Sequence, residues 1–312
     1  MDVFDLPEHT SGKVWTFLPT DFTGTTPGWQ AWTRPRGYSM LAAVCIGGGG
    51  GGAGGETGAA GTLRNGGGGG GASGIARAVF VADVLPGTLY LLVGRGGASV
   101  AANTAGADGQ ISRIAVAPDT VAANQLLLSG DPAATGGAAD GSAGVGSTLG
   151  QALLREWGLF ATVSGQDGTV GGQVAEAGTS VVLMLGTPSS ITGGAGGGMA
   201  TIANVNFDGG AITGAGQWPT SRAGIGANGG PGAAWHGLHG YLPRIGHGIG
   251  LRGVLLSLVS YGGSGGGSSA TSGTAGDGGD GAVGAGGGGG GGGVTGGRGV
   301  AGGPGLIFLV AW

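Results

Sequence analysis

Short blocks of apolar residues, each about as long as a β-strand, alternate along the chain with long segments almost without side chains. Tyr38–Ile46 (YSMLAAVCI) is a continuous apolar run, which predicts a strand buried on both faces or between subunits. Ile75–Val84 instead alternates, with Arg77 and Phe80 on opposite faces, which is typical of a half-buried strand. The pattern predicts a mainly β fold with little α-helix.

A turn sequence, Pro86-Gly87, separates this second block from Thr88–Val93 (TLYLLV). Two strand-length blocks joined by such a turn predict a β-hairpin. Leu149–Phe160 fits either a short helix or a strand. Further strand candidates are Ile111–Val116, Gln125–Leu128, Ser180–Leu185, Val254–Tyr261 and Leu306–Trp312.

The last block, Leu306–Trp312, contains no charged residue. An unpaired edge strand of this kind would be a template for aggregation. We therefore expect it to pair with another strand of the chain, either Tyr38–Ile46 or Val254–Tyr261.

Glycine accounts for 86 of the 312 residues and forms the unbroken runs Gly47–Gly52, Gly66–Gly71 and Gly286–Gly293. An α-helix is unfavourable there, because glycine costs about 1 kcal/mol per residue relative to alanine. Collagen needs glycine at every third position and abundant proline, whereas the glycine spacing here is irregular and only 12 prolines are present. Disorder is opposed by a charged fraction of only 9% and a mean hydropathy of +0.27.

The conformation left for these runs is the extended left-handed helix with three residues per turn, here called polyglycine II. Such a helix has no internal hydrogen bonds, so its N–H and C=O groups must be paired with neighbouring helices. Without Cβ atoms, several such helices can pack closely side by side. The similar lengths of the three runs predict a fold of short β-strands plus one bundle of polyglycine II helices, in which the runs hydrogen-bond to one another.

Charge and cysteine content exclude several classes of protein. The formal net charge is −4, Lys13 is the only lysine, and the arginines are dispersed, so nucleic-acid binding is not expected. Cys45 is the only cysteine, which rules out an intramolecular disulfide. The sequence shows neither a Sec-type signal peptide nor a long apolar stretch, so we expect neither secretion by that route nor membrane insertion.

Residues 1–36 differ from the rest, with few glycines and the tryptophans Trp15, Trp29 and Trp32. Lys13–Leu18 (KVWTFL) fits a short strand. Aromatic residues are favoured at the buried centres of interfaces. We interpret 1–36 as an N-terminal arm or attachment segment and 37–312 as the glycine-rich domain. The alternative is that 1–36 forms the first strand and loop of the same domain.

A second aromatic group lies within residues 199–250 and includes Trp218, Arg222, Trp235 and Tyr241. Flat aromatic faces with nearby arginine suit sugar rings and outer-membrane loops, and they provide contact area at low entropic cost. These four residues are the candidates for receptor contact. The alternative is that the rings cap the ends of the polyglycine bundle.

No catalytic chemistry emerges from the sequence. Glycine-loop motifs occur throughout, but no strand–helix unit with an acidic partner follows them. No nucleophile, base and oxyanion group can be assembled, so we expect no enzymatic activity and no cofactor. His236 and His239 are three residues apart, yet no adjacent carboxylate completes a site, and no metal site is predicted.

The order of these parts is shared with a known family. The segment Trp32–Gly37 leads into a strand, and the strand into a hexaglycine. A second hexaglycine leads to the strand–Pro-Gly–strand unit that ends in VGRGGAS (Val93–Ser99), and the chain closes with Gly286–Trp312 (GGGGGGGG…GGPGLIFLVAW). In these features residues 32–312 resemble the glycine-rich domain proteins of tailed bacteriophages, which occur in tail-fibre, tail-tip and other virion proteins. The resemblance implies a sandwich of polyglycine helices that presents variable loops to the host surface.

From this resemblance we expect a non-enzymatic virion protein, a tail-fibre or tail-tip component that adheres to a bacterial surface receptor, either polysaccharide or outer-membrane protein. Its other partners would be virion proteins, contacted through the tryptophans of the arm, while 199–250 would face away from the particle. A capsid decoration or head-fibre protein is the alternative. A cellular matrix or ice-binding protein is less favoured, since the sequence shows no signal peptide and, for ice binding, no flat threonine or alanine face. The sequence is also compatible with a homo-oligomer.

Overall fold

The computed structural model describes residues 13–20, 28–118, 126–132, 135–147, 158–183, 191–214, 234–236 and 258–312. Apart from the 3₁₀ turn Ala82–Val84, all regular elements in these ranges are β-strands. In chain order they are β1 (Lys13–Phe17), β2 (Trp29–Thr33), β3 (Met40–Ile46), β4 (Ile75–Val81), β5 (Thr88–Leu92), β6 (Ser112–Ala115), β7 (Leu126–Gly130), β8 (Gly158–Val163), β9 (Val181–Leu183), β10 (Ile212–Gly214), β11 (Ala234–His236), β12 (Leu258–Ser260), β13 (Ser269–Thr274), β14 (Gly293–Thr295) and β15 (Leu306–Ala311).

Two antiparallel sheets pack face to face as a sandwich. One has the strand order β1-β15-β3-β4-β8 and the other the order β2-β5-β6-β7. Their inner faces share a core in which Leu41, Ala43 and Cys45 of β3 join Leu89 and Leu91 of β5. The alternation of these residues along each strand is the geometric consequence of side chains pointing to opposite faces of a sheet. The remaining strands form the small pairs β9–β10, β11–β12 and β13–β14.

The strand blocks of the sequence are confirmed in position, but the predicted hairpin is wrong. β4 lies between β3 and β8 in one sheet, and β5 lies between β2 and β6 in the other. Both edges of β4 are therefore already paired, and no edge is left for β5. The 3₁₀ turn Ala82–Val84, closed by the Leu85 N–H bonded to the Ala82 carbonyl (3.1 Å), carries the chain between the sheets.

The prediction that β4 is half buried is also wrong. Its residues from Ile75 to Phe80 are buried on both faces, and only Val81 is exposed. Arg77 is 7% exposed, and burial lowers the pKa of its guanidinium to about 10. In contrast, the expectation that β3 is buried on both faces is confirmed from Leu41 onward.

The pairing expected for the C-terminal block is confirmed. β15 lies between β1 and β3, with Leu306 opposite Ile46 and Leu309 opposite both Ala43 and Trp15. It is therefore an interior strand, and every residue from Leu306 to Ala311 is buried.

The two strands of the predicted arm belong to the sandwich. β1 pairs with β15 and β2 pairs with β5, so both are hydrogen-bonded to strands of 37–312. Two strands of 1–36 are thus part of the same sheets as strands of 37–312, and the role of 1–36 in attachment stays a prediction. Residues 1–12 and 21–27 of the arm lie outside the described residues.

The glycine-rich segments continue directly from the strands and hydrogen-bond with a three-residue repeat. Successive N–H groups of residues 48–56 point in rotation to three neighbours, the segments 104–110, 297–303 and 65–71. In the first direction the donor–acceptor pairs, at 2.8–2.9 Å, are Gly48–Gln110, Gly51–Ala107 and Gly54–Thr104. Residues 66–74 repeat the pattern, with the neighbours 166–172, 284–290 and 131–138.

The three glycine runs bond to one another, as expected from the sequence. The Gly50 N–H donates to Gly71 O (2.9 Å), the Gly67 N–H to Gly290 O (2.8 Å), and the Gly287 N–H to Gly50 O (2.9 Å). Each run therefore contacts the other two at the centre of the bundle.

The molecule consequently has two ends, named here by their residues. The outer pole comprises the loops 34–39 and 82–87, which lie at the strand ends farthest from the glycine segments. The tip comprises the turns 57–64, 101–104, 139–141, 173–176, 200–206 and 270–274, the last being the bend within the irregular strand β13, and these turns join the glycine segments at the opposite end. At about 3.1 Å per residue, the ten residues 47–56 between sandwich and tip would span roughly 30 Å.

Candidate functional surfaces

The tip is built from tight turns with left-handed backbone. Of the eight described residues with positive φ, six lie in these turns: Gly61, Asn103, Gly141, Ala175, Asn204 and Gly273. A residue other than glycine costs about 1 kcal/mol or more in this conformation. The two asparagines offset that cost with side-chain hydrogen bonds between turns: Asn103 Oδ1 accepts the Thr57 N–H (2.9 Å), and Asn204 Oδ1 accepts the Gly61 N–H (2.8 Å).

A buried guanidinium ties three of the tip turns together. Arg64 is 1% exposed, and its Nε and Nη1 donate to the carbonyls of Thr62 (3.1 Å) and Ala270 (2.9 Å), while Nη2 lies 3.5 Å from Asn204 Oδ1. Its own N–H and C=O bond to Ala200 (both 3.0 Å). The turns 57–64, 200–206 and 270–274 are thus fixed relative to one another.

Aliphatic side chains project into solvent from two of these turns and from the turn 173–176. Leu63, Val174, Ile202 and Val205 are 47%, 77%, 69% and 49% exposed. The turns that carry them touch, because the Gly61 N–H bonds to Asn204 and the Glu176 N–H lies 3.3 Å from Met199 Sδ. The tip therefore displays four exposed aliphatic side chains, Leu63, Val174, Ile202 and Val205, which together are called the aliphatic tip surface.

Carboxylates complete the bundle where a backbone acceptor is missing. The Gly146 N–H donates to Asp167 Oδ1 (2.7 Å), and the Arg298 N–H to Asp277 Oδ1 (2.7 Å). Asp140 accepts the Ser142 N–H (2.8 Å), and this hydrogen bond lowers the pKa of its carboxyl. Within the described ranges, no group of three His, Cys, Asp or Glu residues is placed to hold a metal ion.

The tryptophans proposed for attachment are not equivalent. Trp32 is 5% exposed and belongs to the sandwich core, where its ring meets that of Trp15 edge to face at 5.2 Å. Trp15 is half-buried, and Lys13 Nζ lies 5.3 Å from its ring centre. The ring of Trp32 therefore packs in the core of its own chain, and the role of the three tryptophans in attachment stays a prediction. Trp29 is half-buried at the start of β2.

Most of the residues proposed for receptor contact lie outside the described residues, namely Trp218, Arg222 and Tyr241. Trp235 lies in β11, opposite Val259 of β12. The described positions that border 215–257 are in β10 and β12, at the sandwich end of the bundle, next to Val181 and Tyr261. Residues 200–206, by contrast, are at the tip. The described parts of the predicted segment 199–250 therefore lie at different ends of the bundle.

The outer pole contains a polar cleft that the sequence analysis missed. It has a volume of about 370 Å³ and lies between the loops 34–39 and 82–87. Arg34 crosses it, held by its N–H bonded to Gly87 O (2.8 Å) and by Nη1 paired with Asp83 Oδ1 (3.2 Å). The available signal was the repeat of arginines in Thr33-Arg34-Pro35-Arg36, but its partners come from a loop about fifty residues away.

The single cysteine carries no reactive thiol. Cys45 is fully buried in β3, and burial raises the pKa of its thiol to about 12. Since the thiolate is the nucleophile, this residue is an inert part of the core at neutral pH.

No protein-family model matches the chain, and a search of curated proteins gives no significant match. The described part of the chain contains no helix with the length and apolar character that a membrane span requires.

Proposed function

We propose that the chain is a non-enzymatic structural protein of a phage virion, a tail-fibre or tail-tip component that binds a receptor on the host surface. The observation that carries this proposal is the separation of two unlike ends by a hydrogen-bonded glycine bundle. A fixed surface of exposed aliphatic side chains lies at one end, and a β-sandwich lies at the other. The resemblance of residues 32–312 to phage glycine-rich domains supports the same function.

We infer that the glycine segments are polyglycine II helices. Two features support this conformation. Hydrogen-bond partners repeat every three residues, as in a helix with three residues per turn. Within the three runs, which are described throughout, no glycine has the positive φ that tight turns use.

The proposed mechanism is rigid display. Every N–H group of the three glycine runs donates to a neighbouring segment, so the tip turns would be ordered before they meet a receptor. Loop ordering is one of the costs of association, and a pre-ordered surface avoids it. The outer pole would face the particle, and the tip would face the cell.

Location on the particle is tested by electron microscopy with gold-labelled antibody against the purified chain. Label at the end of the tail or on its fibres is the expected result. Label over the capsid shell would favour a decoration or head-fibre protein instead. Purified particles without any bound label would contradict a virion protein altogether.

Receptor contact is tested by adsorption of the fluorescently labelled chain to host cells. Ile202→Asp combined with Val174→Asp should abolish adsorption, because it places two charges on the aliphatic tip surface. The matched control is Val84→Asp, which adds a charge at the outer pole, where Val84 is 45% exposed. Trp218, Trp235 and Tyr241 replaced together by alanine test the aromatic candidates. Normal adsorption of the tip variant would exclude the tip as the contact surface.

A further inference from the structure

The cleft at the outer pole combines two arginines with a half-buried tyrosine. Tyr38 packs against the sandwich core, so its position is fixed, and Arg36 beside it is exposed. Gly37 between them has φ +89° and forms the turn that sets both side chains at the rim of the cleft. The turn therefore fixes where the Arg36 and Tyr38 side chains leave the backbone.

Arg34 is held in place, but its ion pair does not use all of its hydrogen-bond donors. Its only ion pair among the described residues is with Asp83, whose side chain is 85% exposed while that of Arg34 is 23% exposed. Ion pairs of this kind are weak because water screens them. A guanidinium carries five N–H donors in a planar fork that matches the two oxygens of a carboxylate. Asp83 accepts from one of these donors, Nη1, so the other N–H groups of Arg34 can donate to a further carboxylate.

Among the described residues, the charge at this end is opposite in sign to the net charge of the chain. The described residues of the outer pole and of the adjoining strand ends include Lys13, Arg34 and Arg36 and a single acid, Asp83. The chain as a whole carries −4. A local positive field of this kind attracts acidic partners and is sensitive to salt.

We propose that the outer-pole cleft binds the carboxylates of an acidic peptide segment from a neighbouring virion protein. Arg36 and the free donors of Arg34 hold the carboxylates, and Tyr38 packs against the peptide. The inference rests on the proposed function, since the cleft lies at the end away from the tip, where a particle contact would fall. A peptide is favoured over a host polysaccharide for the same reason.

Titration calorimetry on the full chain tests this proposal with a capped peptide that contains three glutamates. Binding is expected for this peptide and not for its three-glutamine counterpart, and it should weaken as NaCl rises from about 50 to about 500 mM. Arg36→Gln should weaken binding about fivefold or more, the range of one charge-assisted contact. Asp83→Asn should strengthen it, because a competing carboxylate is removed.

The matched control is Arg298→Gln, which removes the same charge from an exposed position at the tip end of the bundle. Equal losses in the Arg36 and Arg298 variants, or no binding by the wild-type chain, would overturn the proposal. Glucuronate binding as tightly as the glutamate peptide would make the cleft a sugar site instead. Because none of these measurements uses phage particles or cells, their failure is distinct from failure of the adsorption and labelling experiments.

Discussion

At the scale of single residues, the bundle depends on positions where a side chain has no room. A Cβ added at Gly289 would lie 2.0 Å from Gly67 O, and one added at Gly52 would lie 2.0 Å from Gly288 O. The atoms that the added Cβ would meet belong to the backbone of a neighbouring segment, so no rotamer change can relieve the clash. Glycine is required here by the distance between neighbouring backbones rather than by unusual φ angles.

Gly289→Ala should therefore destabilise the protein by more than about 3 kcal/mol, or prevent folding. Gly87→Ala is the matched control, because nothing lies within 4 Å of its added Cβ and its φ is not positive. Thermal unfolding followed by circular dichroism measures both. A Gly289→Ala protein as stable as the Gly87→Ala control would show that the segments are not packed backbone to backbone.

Asp140 is expected to make stability at the tip depend on pH. The Ser142 hydrogen bond lowers the carboxyl pKa below 3.8, so the stabilising contribution is present above the unfolded pKa and disappears as pH falls through the folded pKa. The melting temperature of Asp140→Ala should therefore lie below that of wild type near neutral pH, and the difference should vanish in strong acid. A difference that is constant from neutral to acid pH would contradict this role.

At the scale of elements, apolar blocks of the sequence located the strands but not all of their partners. The block Thr88–Val93 is a strand, yet it pairs with β2 and β6, because both edges of β4 are occupied. Local pattern does not contain that information, since β3 and β8 reach β4 from elsewhere in the chain. For Leu306–Trp312 the absence of charge required a partner on chemical grounds, so pairing could be predicted.

Deletion of residues 306–312 should give insoluble protein. β15 is an interior strand, and its loss would expose the edges of β1 and β3 together. Centrifugation of expressed lysates with full-length chain as the control measures the effect. A soluble truncated protein with unchanged strand content would contradict the interior position of β15.

Arg64 should determine the order of the tip. In Arg64→Leu the carbonyls of Thr62 and Ala270 lose their donors, which should cost about 2–4 kcal/mol. Urea unfolding measures this cost, and amide exchange of Gly61, whose N–H bonds to Asn204, should accelerate. Arg298→Leu, at an exposed site, should change stability by less than about 0.5 kcal/mol. Slow Gly61 exchange in the Arg64 variant would show that the turns are held without the guanidinium.

At the scale of the whole molecule, the sequence predicted the scaffold better than the surfaces. The hydrogen bonds between the glycine runs could be predicted. Glycine has no side chain, so the buried N–H and C=O groups of a run must pair with the backbone of other segments. The tip was not found, since its aliphatic residues are single positions in separate turns, brought together only by the bundle. Arg64 was missed for the same reason: nothing near it in sequence shows that Ala270 and Asn204 are its partners.

The sandwich position of β1 also changes how attachment is tested. Removal of residues 1–30 would take away the edge strand β1 and the first two residues of β2, and so would damage the fold. Replacement of the half-buried Trp29 tests attachment while every strand of the sandwich is kept.

The claim that the glycine segments form a bundle of threefold helices is tested most directly by a high-resolution crystal structure of the full chain. We expect Gly47–Gly52 to show φ near −75° and ψ near +145° at every residue. Their N–H groups should donate to three different neighbouring segments in rotation. Alternation between two neighbours, as in a β-strand, or N–H groups that face solvent, would contradict the claim.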